Sequence, residues 1–402
     1  MAQGPLQIDA IRVEPGFFGT RTIDRDSSGS LRFTDPDVPG GITLAGLAGL
    51  RSVASILVVG KGGPGAQYDT LQAAVDAVPP TSSLTAPTLI LVGPGLYQEN
   101  LVIEKDGVWI VGLGGVVIEA AVADPTLTIQ ASVTVTPQWC RLQNLRVLNA
   151  NAGESCVSVL GGVGSEVGAQ EISLIDCDLV ASGASSIQVL ADTINNLRVM
   201  GGTFEGSAST SLVRATNCHQ VSLSSIEKLF NLQLDYNTAN PTPDQVGCSY
   251  TAKNSTLWGN ILSTLIGTGT LELGSLLAPT TAGDLTVNGD GSGSFRAAGC
   301  RLRNLSLNGS APLTLASCTR GSAAGSGTLA EDIQEGTASF SAASSKSVVF
   351  GVPQPDANYT VHPETELTSV ISVTSKTAAG FTLGFSTPQT TTVSYKILRR
   401  AL

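Results

Sequence analysis

A pattern six residues long recurs nine times between residues 108 and 318: apolar, any, apolar, any, small or turn-forming, then usually apolar or Cys. It starts at Val108, Cys140, Ile172, Leu197, Val221, Tyr250, Leu271, Phe295 and Leu313. The first and third positions share one face of an extended strand, because side chains alternate with a period of two. The fifth reads Gly112, Asn144, Asp176, Gly201, Ser225, Asn254, Ser275, Gly299 and Ser317, all residue types that tolerate a sharp bend or a left-handed backbone. The sixth reads Leu113, Leu145, Cys177, Gly202, Ile226, Ser255, Leu276, Cys300 and Cys318, as an inward stack of small and aliphatic side chains requires. The starts lie 18 to 32 residues apart, too irregular for a propeller and suited to one coil of a solenoid with insertions in its loops. A parallel β-helix is predicted, each coil supplying a strand, a tight corner and another strand.

Composition agrees with stacked strands. Charged residues are 13% and aromatics 5%, so aliphatic side chains fill the inside and hydroxyls supply much of the outside. A solenoid grows without a new core, so one architecture can absorb most of 402 residues. Sparse charge leaves apolar surface to cover, which favours a homo-oligomer. A net charge of −10 with scattered Lys and Arg argues against a nucleic-acid partner. Seven cysteines without a C-x-x-C spacing, beside two histidines, point to reduced, structural thiols and to no metal or cofactor. Cys177, Cys300 and Cys318 fall on the inward stack. The start of the chain lacks a basic, apolar secretory leader. The longest apolar stretch, 42–59, carries glycines and Arg51, which argues against membrane insertion.

Residues 1–55 read as a separate leading segment, with a strand at Leu31-Arg32-Phe33, an Asp-Pro turn and a short helix at 43–50. Within 56–103, Ile56 to Val59 form a strand and Tyr68-Asp69-Thr70-Leu71-Gln72 opens a helix expected over 69–78. Asp69 and Gln72 have capping-box spacing, Leu71, Ala74, Val75 and Val78 share a face, and Pro79-Pro80 ends it. The strand from Leu89 and the turn into Gly95-Leu96-Tyr97-Gln98-Glu99 follow. A helix here covers the open end of the solenoid.

That passage resembles the opening of the pectin methylesterase and pectate-lyase-like superfamily, with its Tyr-x-Thr-Leu-Gln helix and Gly-x-Tyr-x-Glu turn. The resemblance implies a right-handed parallel β-helix over 56–320. The esterase activity does not follow, because the Gln-Asp-Thr-Leu and Gly-Arg-Pro-Trp strings that carry it are absent and Trp258-Gly259-Asn260 has no arginine beside it. The chain therefore reads as leaning away from an enzyme.

Residues 321–336 are rich in Gly, Ser and Ala and read as a linker. Over 337–402 six short alternating strands are expected, describing a small antiparallel β-sandwich and completing an all-β chain. The strand motifs, from Phe340-Ser341 to Val393-x-Tyr395-x-Ile397, resemble the distal β-domain of phage tail fibres and tailspikes. The leading segment is similar to those of tail-associated phage proteins.

These resemblances imply a virion structural protein: a homotrimeric tail fibre or tailspike, assembled in the host cytoplasm. Its first 55 residues would attach to a phage tail or baseplate protein, and its distal domain would lock the trimer and adsorb to a host-surface glycan. The alternative is a polysaccharide depolymerase on the same scaffold, using paired carboxylates. Its candidates are Asp176 and Asp178, whose i, i+2 spacing puts both on one face of an extended strand, and Glu205 about one coil further on. Asp235, within the polar insertion 233–245, would shape a sugar-binding loop. Against each stands a structural reading: the corner position of Asp176 explains its type, Asp178 and Glu205 read as solvated outer-face residues, and Asp235 as part of a plain exposed loop. In the distal domain Tyr359, His362, Glu364 and Lys376 are candidate receptor contacts. A cellular carbohydrate-binding protein unrelated to phage is a third reading.

Overall fold

The computed structural model describes residues 10–12, 22–25, 31–34, 42–43 and, from 55 to 399, all but 63–64, 131–138, 162–170, 207–211, 230, 238–247, 257–259, 267–268, 277–282, 291, 311, 319–321, 332, 351–353, 355–356, 366 and 368. All nine pattern starts stack directly on one another, Val108 beneath Cys140 and so on to Leu313, in a single parallel sheet of 12 strands. A 10-stranded and a 5-stranded parallel sheet complete the coils. The chain visits the three in turn, so a strand pairs with its counterpart one coil away and not with its chain neighbour. This is a parallel β-helix. Among the described residues the 5-stranded sheet ends at Phe204–Gly206, and later coils carry strands on two sides.

The corners explain why the pattern was visible. Eight of the nine fifth-position residues sit at positive φ, from 50° at Asp176 and Ser275 to 70° at Gly201. A coil closes only if the chain reverses direction within one or two residues, and Gly, Asn, Asp and Ser accept that backbone at least cost. Gly112 is the exception. Its φ is ordinary, but a Cβ there would collide with the Asn144 carbonyl oxygen of the next coil. Beyond it Leu113 does not join the inward stack; it packs outside the 12-stranded sheet beside Leu89, Leu91, Trp109 and Trp139. The Arg141 guanidinium lies 4.6 Å from the Trp109 ring centroid in the same outer layer.

The main core runs unbroken from Val59 to Leu329. Cys140, Cys156, Cys177, Cys218, Cys248 and Cys300 are buried in it as thiols. At its N-terminal end the helix Leu71–Asp76 contributes Leu71, Ala74 and Val75 to that core. The helix is shorter than 69–78, and Thr70, not Asp69, is its N-cap, accepting from Ala73 N. The carboxylate of Glu99 takes the next two amides, Leu71 N and Gln72 N, each at 2.9 Å. Gln72 does not reach back. It bonds both ways with the backbone of Val102, standing in for a neighbouring strand at an otherwise open edge.

Residues expected to be a linker instead continue the solenoid: Ala323–Gly325 and Thr328–Glu331 pair with Leu305–Gly309 and Pro312–Ala316. The next strand, Ile333–Val349, already belongs to the distal domain. Small residues suit a tight last coil as well as they suit a flexible tether, and composition alone did not separate the two. The leading residues form a four-stranded antiparallel sheet through Ala10–Arg12, Thr22–Arg25, Leu31–Thr34 and Ile42–Thr43. The helix expected at 43–50 lies outside the described residues except for Thr43, which is in a strand.

Among the described residues four strands, not six, build the distal domain. Ile333–Val349 and Gly380–Arg399 each run through two expected strands and pair antiparallel along their length, with register shifts between Phe340 and Ser345. Tyr359–Glu364 and Ile371–Thr377 share the other side of Gly380–Arg399. Phe381 and Tyr395 lie on the same strand, which if straight would hold them roughly 46 Å apart. Their ring centroids are 5.2 Å apart. The sheet therefore creases at the bulge and its halves close over a shared aromatic core of Phe340, Phe350, Tyr359, Phe381 and Phe385. Among the described residues no helix is long and apolar enough to cross a membrane.

Two outcomes follow from this packing. Replacing Glu99 by Ala strips two helix amides of their acceptor and is expected to cost about 1–2 kcal/mol in chemical denaturation, whereas Asp69→Ala changes stability by less than about 0.5 kcal/mol. Burial pushes the thiols of Cys156, Cys177, Cys218 and Cys248 up from 9.0 to about 12. The folded chain holds the protonated thiol, so stability is fully present below about pH 9 and is lost as pH rises from about 9 towards 12. The slope reaches ~1.4 kcal/mol per pH unit for each thiol, and denaturation curves between pH 7 and 11 check it.

Candidate functional site

The predicted acids do not converge. Asp176 holds a corner at φ 50°, as its position in the pattern requires. Asp178 begins the strand Asp178–Ala181 on the outer face of the 5-stranded sheet, where Arg146 of the preceding coil lies level with it. Its Oδ1 accepts from Thr203 N at 3.0 Å, tying one coil to the next. Glu205 lies on the same face, opposite Val180, and its Oε2 is 3.5 Å from Arg146 Nη2. One carboxylate is a backbone tie and the other half of an ion pair between half-exposed side chains. Asp235 is on a different face altogether. It lies in the strand Asn231–Asn237 of the 10-stranded sheet, not in a loop, in an outward row with Thr216, Thr264, Asn288 and Asn308. Gln233 donates to its Oδ2, while its Oδ1 is buried with no hydrogen-bond partner among the described residues.

In the distal domain the four candidates separate into two pairs. Tyr359 is buried, its hydroxyl donating to the carbonyls of Thr377 (2.9 Å) and Gly380 (2.7 Å) and its ring packed against Phe350 and Phe381. Lys376 Nζ donates to the Tyr359 carbonyl at 2.9 Å and lies 5.5 Å from the ring centroid. Tyr359 is core, whereas Lys376 is exposed while its ammonium is tied to the Tyr359 carbonyl. His362 and Glu364 are exposed on one face of the strand Tyr359–Glu364, level with Lys396 and Ser394.

The arrangement with the geometry of a site lies where sequence reading did not look. A groove of about 490 Å³ runs across the start of the 12-stranded sheet. Its floor is two rows from successive coils. Glu171, Asn196 and Gln220, each the residue before a pattern start, are level with one another. Asn195 and His219, one residue earlier, form the second row, and Asp106 and the 83–85 segment make the wall. Corners at Thr193 (φ 52°) and Asn217 (φ 51°) set these rows. Each turns the following residue, Ile194 or Cys218, into the core and so sends Asn195 and His219 outward. A β-branched residue at positive φ is strained, and the core contact of Ile194 holds Thr193 there.

His219 Nδ1 is 2.9 Å from Asn195 Oδ1. With the amide oxygen as acceptor, Nδ1 is the donor of this bond. Backbone bonds His219 N to Ile194 O (2.9 Å) and Gln220 N to Asn195 O (2.8 Å) lock the two coils together beneath these side chains. Asp106 Oδ1 accepts from Gly107 N at 2.7 Å and Trp139 N at 2.9 Å. A carboxylate, several amides and an imidazole spaced by one coil can engage neighbouring hydroxyls of an extended polyol. Among the described residues no group of three or more His, Cys, Asp or Glu could hold a metal ion. The signal was present in the sequence, in the polar pairs before the starts at Ile172, Leu197 and Val221, but those positions lie outside the apolar pattern.

No family model matches the sequence, and no curated protein sequence matches it. Among solved structures the chain is similar to pectin methylesterase from carrot, at 11% identity and a TM-score of 0.38, over 68% of this chain and 84% of that one. It is also similar to the tailspike gp61 of Pseudomonas phage phi297, at 11% identity and TM-score 0.30, and to the tailspike gp49 of Pseudomonas phage LKA1, at 12% and 0.21. Each of the last two comparisons covers 78% of this chain and 67% of the other. None reaches a TM-score of 0.5, so the assignment rests on the strand register: this is a parallel β-helix protein with a distal antiparallel domain.

Replacing Asp176 separates its geometry from its charge. Asp176→Asn is expected to leave thermal stability unchanged within about 0.5 kcal/mol, while Asp176→Val, which opposes positive φ, costs about 1–2 kcal/mol. Glu205→Gln, at an exposed ion pair, shifts stability by less than about 1 kcal/mol.

Proposed function

We propose that this chain is a phage tail fibre or tailspike that binds a host-surface polysaccharide along the flank of its β-helix. The observation that carries the reading is the groove at Glu171, Asn195 and His219, a polar trough set across consecutive coils of a rigid shaft. A repeating polymer meets a repeating surface there, each coil offering donors and acceptors at the strand spacing. The shaft lies between a small leading sheet, which would attach to the tail or baseplate, and the distal domain, whose exposed His362 and Glu364 would contribute a second glycan contact. Three copies side by side would cover apolar side chains exposed on the distal domain, such as Val349 and Val370. Such a chain is assembled in the host cytoplasm and carried in the virion.

A second reading, cleavage of the bound polysaccharide, is favoured by the carboxylates of Asp106 and Glu171 in the same groove.

The test is titration of purified host capsule and lipopolysaccharide into the full chain, with light scattering to weigh the oligomer. Wild type is expected to bind at least one polysaccharide as a trimer, and Glu171→Gln with His219→Ala to weaken binding at least about tenfold at an unchanged thermal midpoint. Binding that ignores both substitutions, or none across a panel of host glycans, overturns the reading. Release of reducing ends or unsaturated sugars, lost in Glu171→Gln, would establish the enzymatic alternative; binding without release restricts the protein to adhesion.

A further inference from the structure

The inward stack at the sixth pattern position ends in a pair of thiols, Cys300 and Cys318. They hold the same place on successive coils and the same conformation. Cys300 Sγ donates to Ala298 O and Cys318 Sγ to Ala316 O, each at 3.4 Å, and Ala298 and Ala316 lie level with each other in the 12-stranded sheet. Cys300 N donates to Cys318 Sγ at 3.3 Å. Adjacent strands are about 4.8 Å apart, so the two Cα atoms fall within the roughly 4.4–6.8 Å that a disulfide spans. Cys218 and Cys248 differ: Ser249 pairs with Gln220, which places Cys248 level with His219 and not with Cys218.

We propose that Cys300 and Cys318 are a latent crosslink, closing to a disulfide when the folded chain meets a low-molecular-weight disulfide such as oxidised glutathione. Cys318 is the less buried member and reacts first. Its thiol gives a proton to water and the thiolate attacks one glutathione sulfur, breaking that S–S bond and expelling one glutathione thiolate. Cys300 then loses its proton and attacks the Cys318 sulfur of the mixed disulfide, releasing the second glutathione. Two protein thiols are oxidised and one small disulfide is reduced to two thiols. In the reduced chain the hydrogen bond with Cys318, followed by burial, holds the Cys300 proton above the ordinary thiol range, and the burial persists once Cys318 carries glutathione. The second step is therefore slow near neutrality and quickens with pH.

The position gives the crosslink a use. After Cys318 the solenoid makes only the short strands Ala323–Gly325 and Thr328–Glu331 before Ile333 enters the distal sheet. The end of a stacked array is where opening starts, since the last coil has a neighbour on one side only. A bond from 300 to 318 staples the two coils beneath that final short one, so opening that starts at the end is stopped there.

The experiment treats the purified full chain with oxidised glutathione at pH 8, blocks remaining thiols and maps the digested peptides by mass spectrometry. The expected result is a Cys300–Cys318 linked peptide, loss of two of the seven thiols measured in denaturant, and a thermal midpoint higher by at least about 3 °C that reductant reverses. Cys218→Ser is expected to leave the link intact. Cys318→Ser, and separately Cys318→Ala in case one of them folds poorly, abolishes link and shift together. Retention of all seven thiols in wild type, or a glutathione adduct on Cys318 that never resolves into the link, overturns the proposal.

Discussion

The structure depends on coils stacking in register, so that each inward side chain sits on its own counterpart one turn away. A backbone ladder enforces this at about 4.8 Å, and the corners permit it. If a corner residue resisted positive φ, its strand would arrive displaced, and a displacement of one residue would turn an aliphatic side chain out and a polar one in. The row from Val108 to Leu313 keeps one register across all nine coils, despite spacings of 18 to 32 residues. Insertions are absorbed between strands and not within them.

The same ladder decides what the outside can do. Residues distant in sequence become neighbours at strand spacing, which is how Glu171, Asn196 and Gln220 come to form one row of a groove. It also disperses groups that looked related in sequence. Asp178 and Asp235 project from different sheets, and Glu205 is held by Arg146 two coils back. A site on such a shaft is built across the strands, and its side chains are as rigid as the backbone pairs beneath them.

The ends follow different physics. At the first coil, polar side chains substitute for missing strands: Glu99 satisfies helix amides and Gln72 satisfies the backbone of Val102. At the last, the solenoid hands directly to a creased antiparallel sheet whose aromatic core replaces the aliphatic one. The change from Leu and Val stacks to Phe and Tyr clusters marks the domain boundary more reliably than the Gly- and Ser-rich composition before it.

By itself the sequence determined the β-helix, the inward rows and the corners, because each rests on a local demand that restricts residue type: an aliphatic interior, and a backbone at positive φ that favours Gly, Asn, Asp and Ser. Tyr97 to Glu99 and Tyr68 to Gln72 were legible for a like reason, since a covered solenoid end needs those bonds, although the roles of Asp69 and Gln72 were misassigned among neighbours that can all cap. Only the tertiary structure decided that the Tyr359 hydroxyl closes on Thr377 and Gly380, that Asp235 lies in a strand, and that the groove gathers Asp106, Glu171 and His219. Outward positions answer to no packing constraint that would betray them in one sequence. Which of them meet is set by the register between coils, a relation between residues two dozen or more apart that local chemistry does not encode.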